Sequence, residues 1–501
     1  MKHYDVAVIG SGAGLIVLEA ALKNGLSCVL IEKDKIGGTC LTKGCIPSKM
    51  LVFPADAIRD AQAAAGVGLT FAPPAIDWDR ITKRMRKQIN FSEKIEKNLE
   101  KIENLDVFRG NAEFTGSNSL SVNERNGTTV NFTAERIIAA AGARSFIPPI
   151  NGLEETGYVI PETFFNDKFP EKPWKSLAII GGGAISAEFA HIFSAFGTEV
   201  MIVEKNERIL TSEEEEVSEF VKKQFEKNGI RVLTDMKTLL AEKKNGIKTL
   251  VLENTKVGEM VTVDCEEIFL ATGIRSNADL LKTEHANIEI DERGYIITDD
   301  TLCTSQQNIW AIGDINGKFQ LRHKANYEAE ILAANLFSGI DIQAKKKAGY
   351  TAVPWAVFTH PQVAHVGLTL AQAKQQNIRC RIGKKHYSQV AGGVAMGYHS
   401  GEDDGFVKII VGEDKKILGV HIAGPYAAIL LQPFVYLMHA GHRCPESKKP
   451  VDSPTQTIDG LQLMCPKFGT YAPISDSMVI HPSLNELTAW VLEGIDWENE
   501  E

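Results

Sequence analysis

Apolar and polar positions divide the chain into two copies of one pattern followed by a stretch of different character. Tyr4-Asp-Val-Ala-Val-Ile9 is short, apolar and rich in β-formers, which predicts a buried strand. Gly10-Ser-Gly-Ala-Gly14 follows, then helix-periodic Leu15–Asn24 and a second strand over Ser27–Ile31. The pattern recurs as a strand Leu177–Ile180, a turn Gly181-Gly-Gly-Ala-Ile-Ser186, a helix Ala187–Phe196 and a strand Glu199–Val203. Between the copies, Ile76–Glu103 is charged and helix-periodic, the mark of a solvated face. Short strands fill 105–147, and Pro148-Pro149 reads as a boundary. After the second copy come an acidic helix over Thr211–Asn228 and hairpins over 230–270. A strand ending in Gly313-Asp314 and a helix from Arg322 to about Phe337 follow. From Thr351 onward the pattern predicts an antiparallel sheet with strands Val353–Phe358, Ala364–Gly367, Phe406–Val411 and Leu418–Ala423, and a helix Leu430–Ala440. Residues 442–480 are long and irregular, and His481-Pro-Ser-Leu-Asn-Glu486 leads into a last helix.

Each copy carries an acid where its second strand ends, Glu32 in the first and Glu204 in the second. A strand, a glycine turn, a helix, a strand and an acid make a dinucleotide-binding unit. Gly10 and Gly12 let the backbone approach a pyrophosphate at a helix N-terminus, and Glu32 can accept from an adenosine ribose. Leu15 stands where a small residue is usual, so looser helix–strand packing is expected there. In the second unit Ser186 replaces the third glycine, and Glu204 favours NAD because it would repel a 2′-phosphate. Lys205 and Arg208 nearby weaken that preference.

The chemistry lies in Ile36-Gly-Gly-Thr-Cys-Leu-Thr-Lys-Gly-Cys-Ile-Pro-Ser-Lys-Met50. An ideal helix would separate Cys40 and Cys45 by about 7.5 Å of rise, whereas a disulfide wants Cα atoms about 4.4–6.8 Å apart. A bonded pair therefore needs a distorted turn, which Gly37, Gly38 and Gly44 permit. Pro47 suits a first helical position, which puts Cys45 and Lys49 at a positive helix end that lowers a thiol pKa. Two unrelated buried cysteines or half a metal site are the alternatives, and the second lacks a partner pair at zinc spacing. A carboxylate at Asp314 can bind a polyol, and Glu486 can orient the ring of His481 as in a general-base pair.

A chain of 501 residues is long enough for about three domains. Its net charge of −10 argues against nucleic acid or an anionic membrane, and no apolar run reaches the length of a span. Without a basic region and apolar core at the start, a cytoplasmic protein is expected. Eight cysteines in such a chain do not make a disulfide scaffold.

Taken in this order, Cys40, Cys45, both glycine turns, Gly313-Asp314 and His481/Glu486 resemble the flavin-dependent pyridine nucleotide–disulfide oxidoreductases nearly end to end. The branch holding dihydrolipoamide dehydrogenase, glutathione reductase and mercuric reductase is the most similar, and Ala187-Glu-Phe-Ala-His-Ile-Phe-Ser-Ala195 also resembles mycothione reductase. The resemblance implies an α/β fold with two Rossmann-like nucleotide-binding domains and a C-terminal α+β dimerisation domain. Residues 1–148, with 276–350 returning, would bind FAD, 149–275 NAD, and 351–501 would form the interface of a homodimer. Gly14, Gly38, Thr39, Gly142, Gly181, Gly183 and Gly273 would border the cofactors, with His323 and Ala325 beside the flavin ring and Asp314 on its ribityl chain. Cys45 would be the charge-transfer thiol and Cys40 the interchange thiol. Lys49 would pair with Glu188, and His481, oriented by Glu486, would reach the Cys40 of the partner subunit. The implied activity is electron transfer between NAD(H) and a disulfide, most like dihydrolipoamide dehydrogenase, with a small-molecule or lipoyl-domain substrate and no metal. Ala184 in place of an aromatic lid, the interruption Ile274-Arg275-Ser276, the long 442–480 segment and the lack of a C-terminal cysteine pair depart from the family pattern.

Overall fold

The computed structural model describes residues 2–339, 345–413, 416–440, 457–458, 461–462 and 477–481. The segment 442–480 therefore lies almost wholly outside the described residues, as do Cys444, Cys465, Glu486 and the expected last helix. The first part comprises β1 (Lys2–Ile9), α1 (Gly14–Lys23), β2 (Cys28–Ile31), α2 (Gly38–Lys43), α3 (Cys45–Ala63), α4 (Trp78–Ile89), α5 (Phe91–Leu99), β3 (Leu105–Phe108), β4 (Gly110–Gly116), β5 (Ser119–Glu124), β6 (Thr129–Ala139) and β7 (Ala143–Ser145). The second comprises α6 (Leu153–Thr156), α7 (Pro161–Phe164), β8 (Ser176–Ile180), α8 (Ala184–Ala195), β9 (Glu199–Val203), α9 (Glu215–Lys227), β10 (Arg231–Leu233), β11 (Met236–Lys244), β12 (Ile247–Asn254), β13 (Met260–Cys265), β14 (Glu267–Leu270) and β15 (Ile274–Ser276). Then follow β16 (Ile309–Ala311) and α10 (Arg322–Phe337). The last part holds β17 (Pro354–Val357), β18 (Val363–Gly367), α11 (Leu370–Gln375), β19 (Cys380–His386), α12 (Ala391–Ala395), β20 (Phe406–Gly412), β21 (Ile417–Ala423) and α13 (Ala427–Ala440).

The first sheet runs β3-β2-β1-β6-β5-β4, with β16 joining beside β6, and its β3, β2, β1, β6 and β16 are parallel. The second sheet, β10-β9-β8-β14, is wholly parallel. The interruption at Ile274-Arg275-Ser276 is β15, which pairs antiparallel with β7 where the chain passes between the two sheets. Five antiparallel strands in the order β17-β18-β21-β20-β19 form the C-terminal sheet, with α13 packed on it.

The glycine turns do the same work in both units. A Cβ on Gly10, at φ +102°, would stand 2.3 Å from the Ala140 carbonyl oxygen, and one on Gly181, at φ +110°, 2.3 Å from that of Ala271. No other residue fits either turn. The expected loosening at Leu15 is not what the chain shows. Gly14 makes the close approach instead, since a Cβ there would stand 2.7 Å from Val8 Cγ1. The charged 76–103 stretch is two helices broken at Asn90 and not only a solvated face, because α4 buries Trp78, Met85 and Ile89.

One apolar core joins all three parts. It contains Leu51 and Ala55 of α3, Phe189 and Phe193 of α8, and Val363 and Ile422 of the C-terminal sheet. Its aromatic hub is Phe164, fully buried at the end of α7, with ring centroids 5.0 Å from Phe189 and 4.8 Å from Phe165. Replacing it leaves a cavity that helices on several sides cannot fill. Phe164→Ala should cost about 3–5 kcal/mol, and Phe164→Leu clearly less. Denaturant midpoints with unchanged slopes would bear this out, whereas equal midpoints for Phe164→Ala and the parent would remove Phe164 from the hub.

Candidate active site

The redox stretch folds as two helices in succession. Short α2 carries Cys40, Gly44 breaks the run, and Cys45 opens the long α3. A Cβ at Gly44 would stand 3.0 Å from the Thr39 carbonyl oxygen, so the break needs glycine. Pro47 stands at the third helical position and not the first. The cost is small, because the first hydrogen bond of α3 runs from Ser48 N to the Gly44 carbonyl, 3.0 Å, one residue beyond the proline. The helix continues through Pro54.

Both sulfurs are free thiols, and they are unlike. A hydrogen bond from Cys40 holds the Cys45 pKa well below the ordinary thiol value, with His481 and Lys49 adding to it against the effect of burial. The same hydrogen bond, with burial, pushes Cys40 up. The proton of the reduced pair thus belongs to Cys40 and the negative charge to Cys45. His481 Nε2 lies 3.1 Å from Cys40 Sγ, in reach to take that proton.

Within the single chain, His481 makes this contact with its own Cys40. The cause is local. Gln432 of α13 donates to the Met478 carbonyl at 3.2 Å and accepts from Ile480 N at 3.2 Å, and Met478 and Ile480 are buried. That anchor delivers His481 to the cysteines beside it. Its backbone N–H faces His323 Nδ1 at 3.5 Å, and His323 Nε2–H donates to the Pro354 carbonyl at 2.8 Å. Burial lowers the His323 pKa to about 4, so the ring stays neutral with Nδ1 as acceptor.

Lys49 Nζ and Glu188 Oε2 form the expected ion pair at 2.6 Å. Glu188 Oε1 also accepts from Phe358 N at 3.1 Å, and Lys49 Nζ stands 4.6 Å from the centre of the Phe358 ring. A cavity of about 490 Å3 opens from the cysteines along the first sheet. Gly10, Gly12, Glu32, Gly38, Thr39 and Gly142 line one stretch of it, and Gly313, Asp314, His323, Ala325 and His481 another. Glu32 Oε2 accepts from Ser11 N and Ser11 Oγ at 2.9 and 2.6 Å, which fixes the acid beside the glycine turn.

These residues fit FAD. Gly12 leaves the start of α1 open, the nearest atom to a Cβ there being Arg322 Nη1 at 3.7 Å. Asp314 lines the same cavity, and burial pushes its carboxyl up to about 6 against the pull of Lys324, a state that hydroxyl donors of a polyol would relieve. In the second unit Gly183 starts α8 with nothing within 4 Å of a Cβ, and buried Glu204 ends β9. Gly181, Gly183, Glu204 and Gly273 do not border the cavity, whereas Ala184, Ile185, Glu188 and Phe189 do. The second unit reaches it through the first turns of α8, together with Pro161, Glu162, Phe165 and Ile274.

Residues 4–329 match the pyridine nucleotide-disulphide oxidoreductase family, and residues 353–449 match its dimerisation domain. The chain belongs to the pyridine nucleotide-disulphide oxidoreductases. It is 32% identical over 433 residues to dihydrolipoyl dehydrogenase of Chlamydia pneumoniae, covering 86% of this chain and 89% of that one. It is also 32% identical over 453 residues to mycothione reductase of Mycobacterium tuberculosis, covering 88% and 94%. The fold matches the flavoprotein disulfide reductase RclA of Escherichia coli with a TM-score of 0.73 at 24% identity, over 98% of this chain and 99% of that one. The chain is thus a flavoprotein disulfide oxidoreductase of a family whose cofactors are FAD and NAD(P), and the dimerisation domain supports a homodimer. No helix among the described residues is long and apolar enough to cross a membrane.

Sequence reasoning missed the support under Asp314. Lys324 Nζ, fully buried, donates to the Gly313 carbonyl at 3.0 Å, Asn316 Oδ1 at 2.7 Å and Glu328 Oε2 at 3.1 Å. Glu328 Oε2 also accepts from Gly313 N at 2.7 Å. The spacing of Lys324 and Glu328 on one helix face was the available signal.

Two outcomes follow from this geometry. In the reduced holoenzyme the charge-transfer absorbance should persist well below an ordinary thiol pKa of about 8.5, because the shift of Cys45 is downward. His481→Ala or Lys49→Met removes a group that favours the thiolate, so the absorbance should be lost at higher pH than in the parent. A titration midpoint that does not move in either variant would contradict the assignment. Mixed dimers of Cys40→Ser and His481→Ala chains read out the His481 contact: within one chain no mixed dimer holds an intact pair, and across subunits each holds one.

Proposed function

We propose that the chain passes electron pairs between NAD(H) and a disulfide or dithiol, acting as a dihydrolipoyl dehydrogenase. The observation that carries the reading is the meeting, in one cavity, of a polarised cysteine pair, a base on Cys40 and the Lys49–Glu188 pair at the opening of the second nucleotide unit. Bound there, FAD supplies the electron relay between a nicotinamide and the sulfur pair. The protein's own steps are thiol–disulfide exchange. His481 takes the proton of Cys40, and the Cys40 thiolate attacks a substrate disulfide and expels one thiolate, which takes up that proton. Cys45 then attacks Cys40 Sγ, releasing the second thiolate and leaving the Cys40–Cys45 disulfide. In the dihydrolipoamide direction the same steps reverse, with His481 accepting a proton from the substrate thiol.

Glu204 supports NAD over NADP. Its Oε1 accepts from Asn206 N at 2.8 Å and Asn206 Nδ2 at 2.6 Å, which holds an anion where a 2′-phosphate would sit. Arg208 is turned away and donates to the Glu213 carbonyl at 3.3 Å. A second reading, reduction of a low-molecular-weight thiol disulfide, draws support from the equal likeness to mycothione reductase. A non-catalytic flavoprotein role is disfavoured by the complete Cys40, Cys45 and His481 contact.

The purified holoenzyme should reduce lipoamide with NADH at a higher kcat/KM than glutathione disulfide or mycothiol disulfide, and should prefer NADH to NADPH by tenfold or more, about 1.4 kcal/mol. A larger kcat/KM for mycothiol disulfide selects the second reading. Parity of the two nucleotides would remove the role given to Glu204.

A further inference from the structure

A second cluster of ligating side chains lies far from the cysteines in sequence and on different elements. His365 on β18 and His421 on β21 are direct cross-strand partners, with ring centroids 5.4 Å apart. Glu213, in the turn before α9, brings its carboxylate against them from the second nucleotide unit, with its side chain fully buried. One imidazole nitrogen from each histidine and one carboxylate oxygen lie within 4.8 Å of one another.

The hydrogen bonds around this cluster leave it unsatisfied in a particular way. His421 Nε2 faces the Leu368 carbonyl at 3.0 Å, and a carbonyl only accepts, so Nε2 carries the proton. Nδ1 is then a bare lone pair, and among the described residues it is buried with no hydrogen-bond partner. A buried acceptor without a donor is costly, and a ring fixed through its other nitrogen by a carbonyl is how metal-ligating histidines are held. Both oxygens of Glu213 lie 2.9 Å from His365 Nδ1, so a single proton serves two acceptor atoms. Of the neighbouring acids, Glu214 and Glu216 are held by Lys408 Nζ, 2.8 Å from Glu214 Oε2 and 2.7 Å from Glu216 Oε1, and Glu214 Oε1 lies 3.9 Å from His421 Nε2, on the protonated side of that ring.

The geometry points to a binding site for a divalent transition cation of the zinc type, held by Glu213, His365 and His421. Two imidazoles and one carboxylate are a zinc ligand set, and ligands at about 2.0–2.1 Å from the metal stand roughly 3.3 Å apart. Reaching that spacing asks the 2.9 Å contact to open slightly and the other separations, all within 4.8 Å, to close onto the metal. On binding, the His365 proton moves from Nδ1 to Nε2 by exchange with solvent, so that the neutral ring offers its Nδ1 lone pair to the cation, and the Nδ1 lone pair of His421 gains its partner. A fourth position is left for water. The cation would tie the turn before α9 to two central strands of the C-terminal sheet, a structural joint and not a redox centre.

The test must separate this site from Cys40, Cys45 and His481, whose ligand atoms also lie within 4.8 Å of one another. The FAD-loaded full-length protein is stripped with chelator, kept with its cysteine pair oxidised, and titrated with Zn2+ by calorimetry. One Zn2+ per chain is expected, with a rise in melting temperature. Glu213→Gln and His421→Gln, checked for normal flavin content and quinone reduction, should each weaken binding by at least roughly tenfold. Co2+ should give a visible spectrum without sulfur-to-cobalt charge transfer. Failure of the oxidised parent protein to take up Zn2+ would overturn the proposal without any variant. Unchanged affinity in Glu213→Gln, or a thiolate signature with Co2+, would overturn it equally.

Discussion

The contact on which the arrangement depends is the ion pair between Lys49 and Glu188. Lys49 stands one turn into the helix that Cys45 opens, and Glu188 stands one turn into the helix of the second nucleotide unit. The second oxygen of Glu188 receives the N–H of Phe358, at the start of the C-terminal part. One carboxylate therefore ties together the three parts of the chain at the point where electrons must pass between them. A charge pair this enclosed contributes little net stability, because desolvation offsets its attraction. Its effect is positional: neither partner can move without leaving the other charge unpaired. The apolar core around Leu51, Phe189 and Val363 supplies the binding energy that the ion pair does not.

The two nucleotide units show how one backbone requirement is met twice with different packing. Gly10 and Gly181 face the carbonyl of a neighbouring strand end at the same distance, so both turns are fixed by the same clash. Beyond that point they differ. The first unit packs Gly14 on β1, while in the second Gly182 makes the close approach, a Cβ there meeting Glu204 Cγ at 2.9 Å. That contact holds the acid of the second unit against its own glycine turn, as Ser11 holds Glu32 in the first. Different residues thus place a carboxylate in the same position relative to a helix start.

What was legible in the sequence was the chemistry that needs rare residue types at fixed spacing. The cysteine pair, Lys49 and the first glycine turn with Glu32 meet in one cavity, while the second turn and Glu204 lie outside it, and these residue types at these spacings have few alternative roles. The contact of His481 with a cysteine was legible too, but the anchor that holds it was not, since Gln432 and the 477–480 segment meet only in the folded molecule. Lys324 and Glu328 were not singled out: their i,i+4 spacing signals a pair on one helix face but not that both are wholly buried. Strand β19, Cys380-Arg-Ile-Gly-Lys-Lys-His386, escaped notice because it is an edge strand. Charged residues suit an edge, where they discourage pairing with another chain, and they erase the alternation by which a strand is recognised. Glu213, His365 and His421 are joined only by tertiary structure, so no local pattern could associate them.

The difference between the two sulfurs follows from where the chain breaks. A single glycine at position 44 ends one short helix and begins a long one, so Cys45 opens a helix while Cys40, five residues back, lies inside the preceding one. Cys45 stands at the start of the long helix, where unpaired N–H groups and the partial positive charge favour a thiolate. Cys40 lies within the preceding short helix and shares its proton with that thiolate, which leaves it dependent on an external base. Among the described residues His481 is in place to serve, and its neutral neighbour His323, held by the Pro354 carbonyl, does not compete for the proton. In the proposed exchange this asymmetry sets a direction: the sulfur that needs a base meets substrate, and the sulfur that is already charged closes the disulfide. Moving the helix break by one residue would rotate one cysteine about a hundred degrees around its helix and end the contact on which both roles rest.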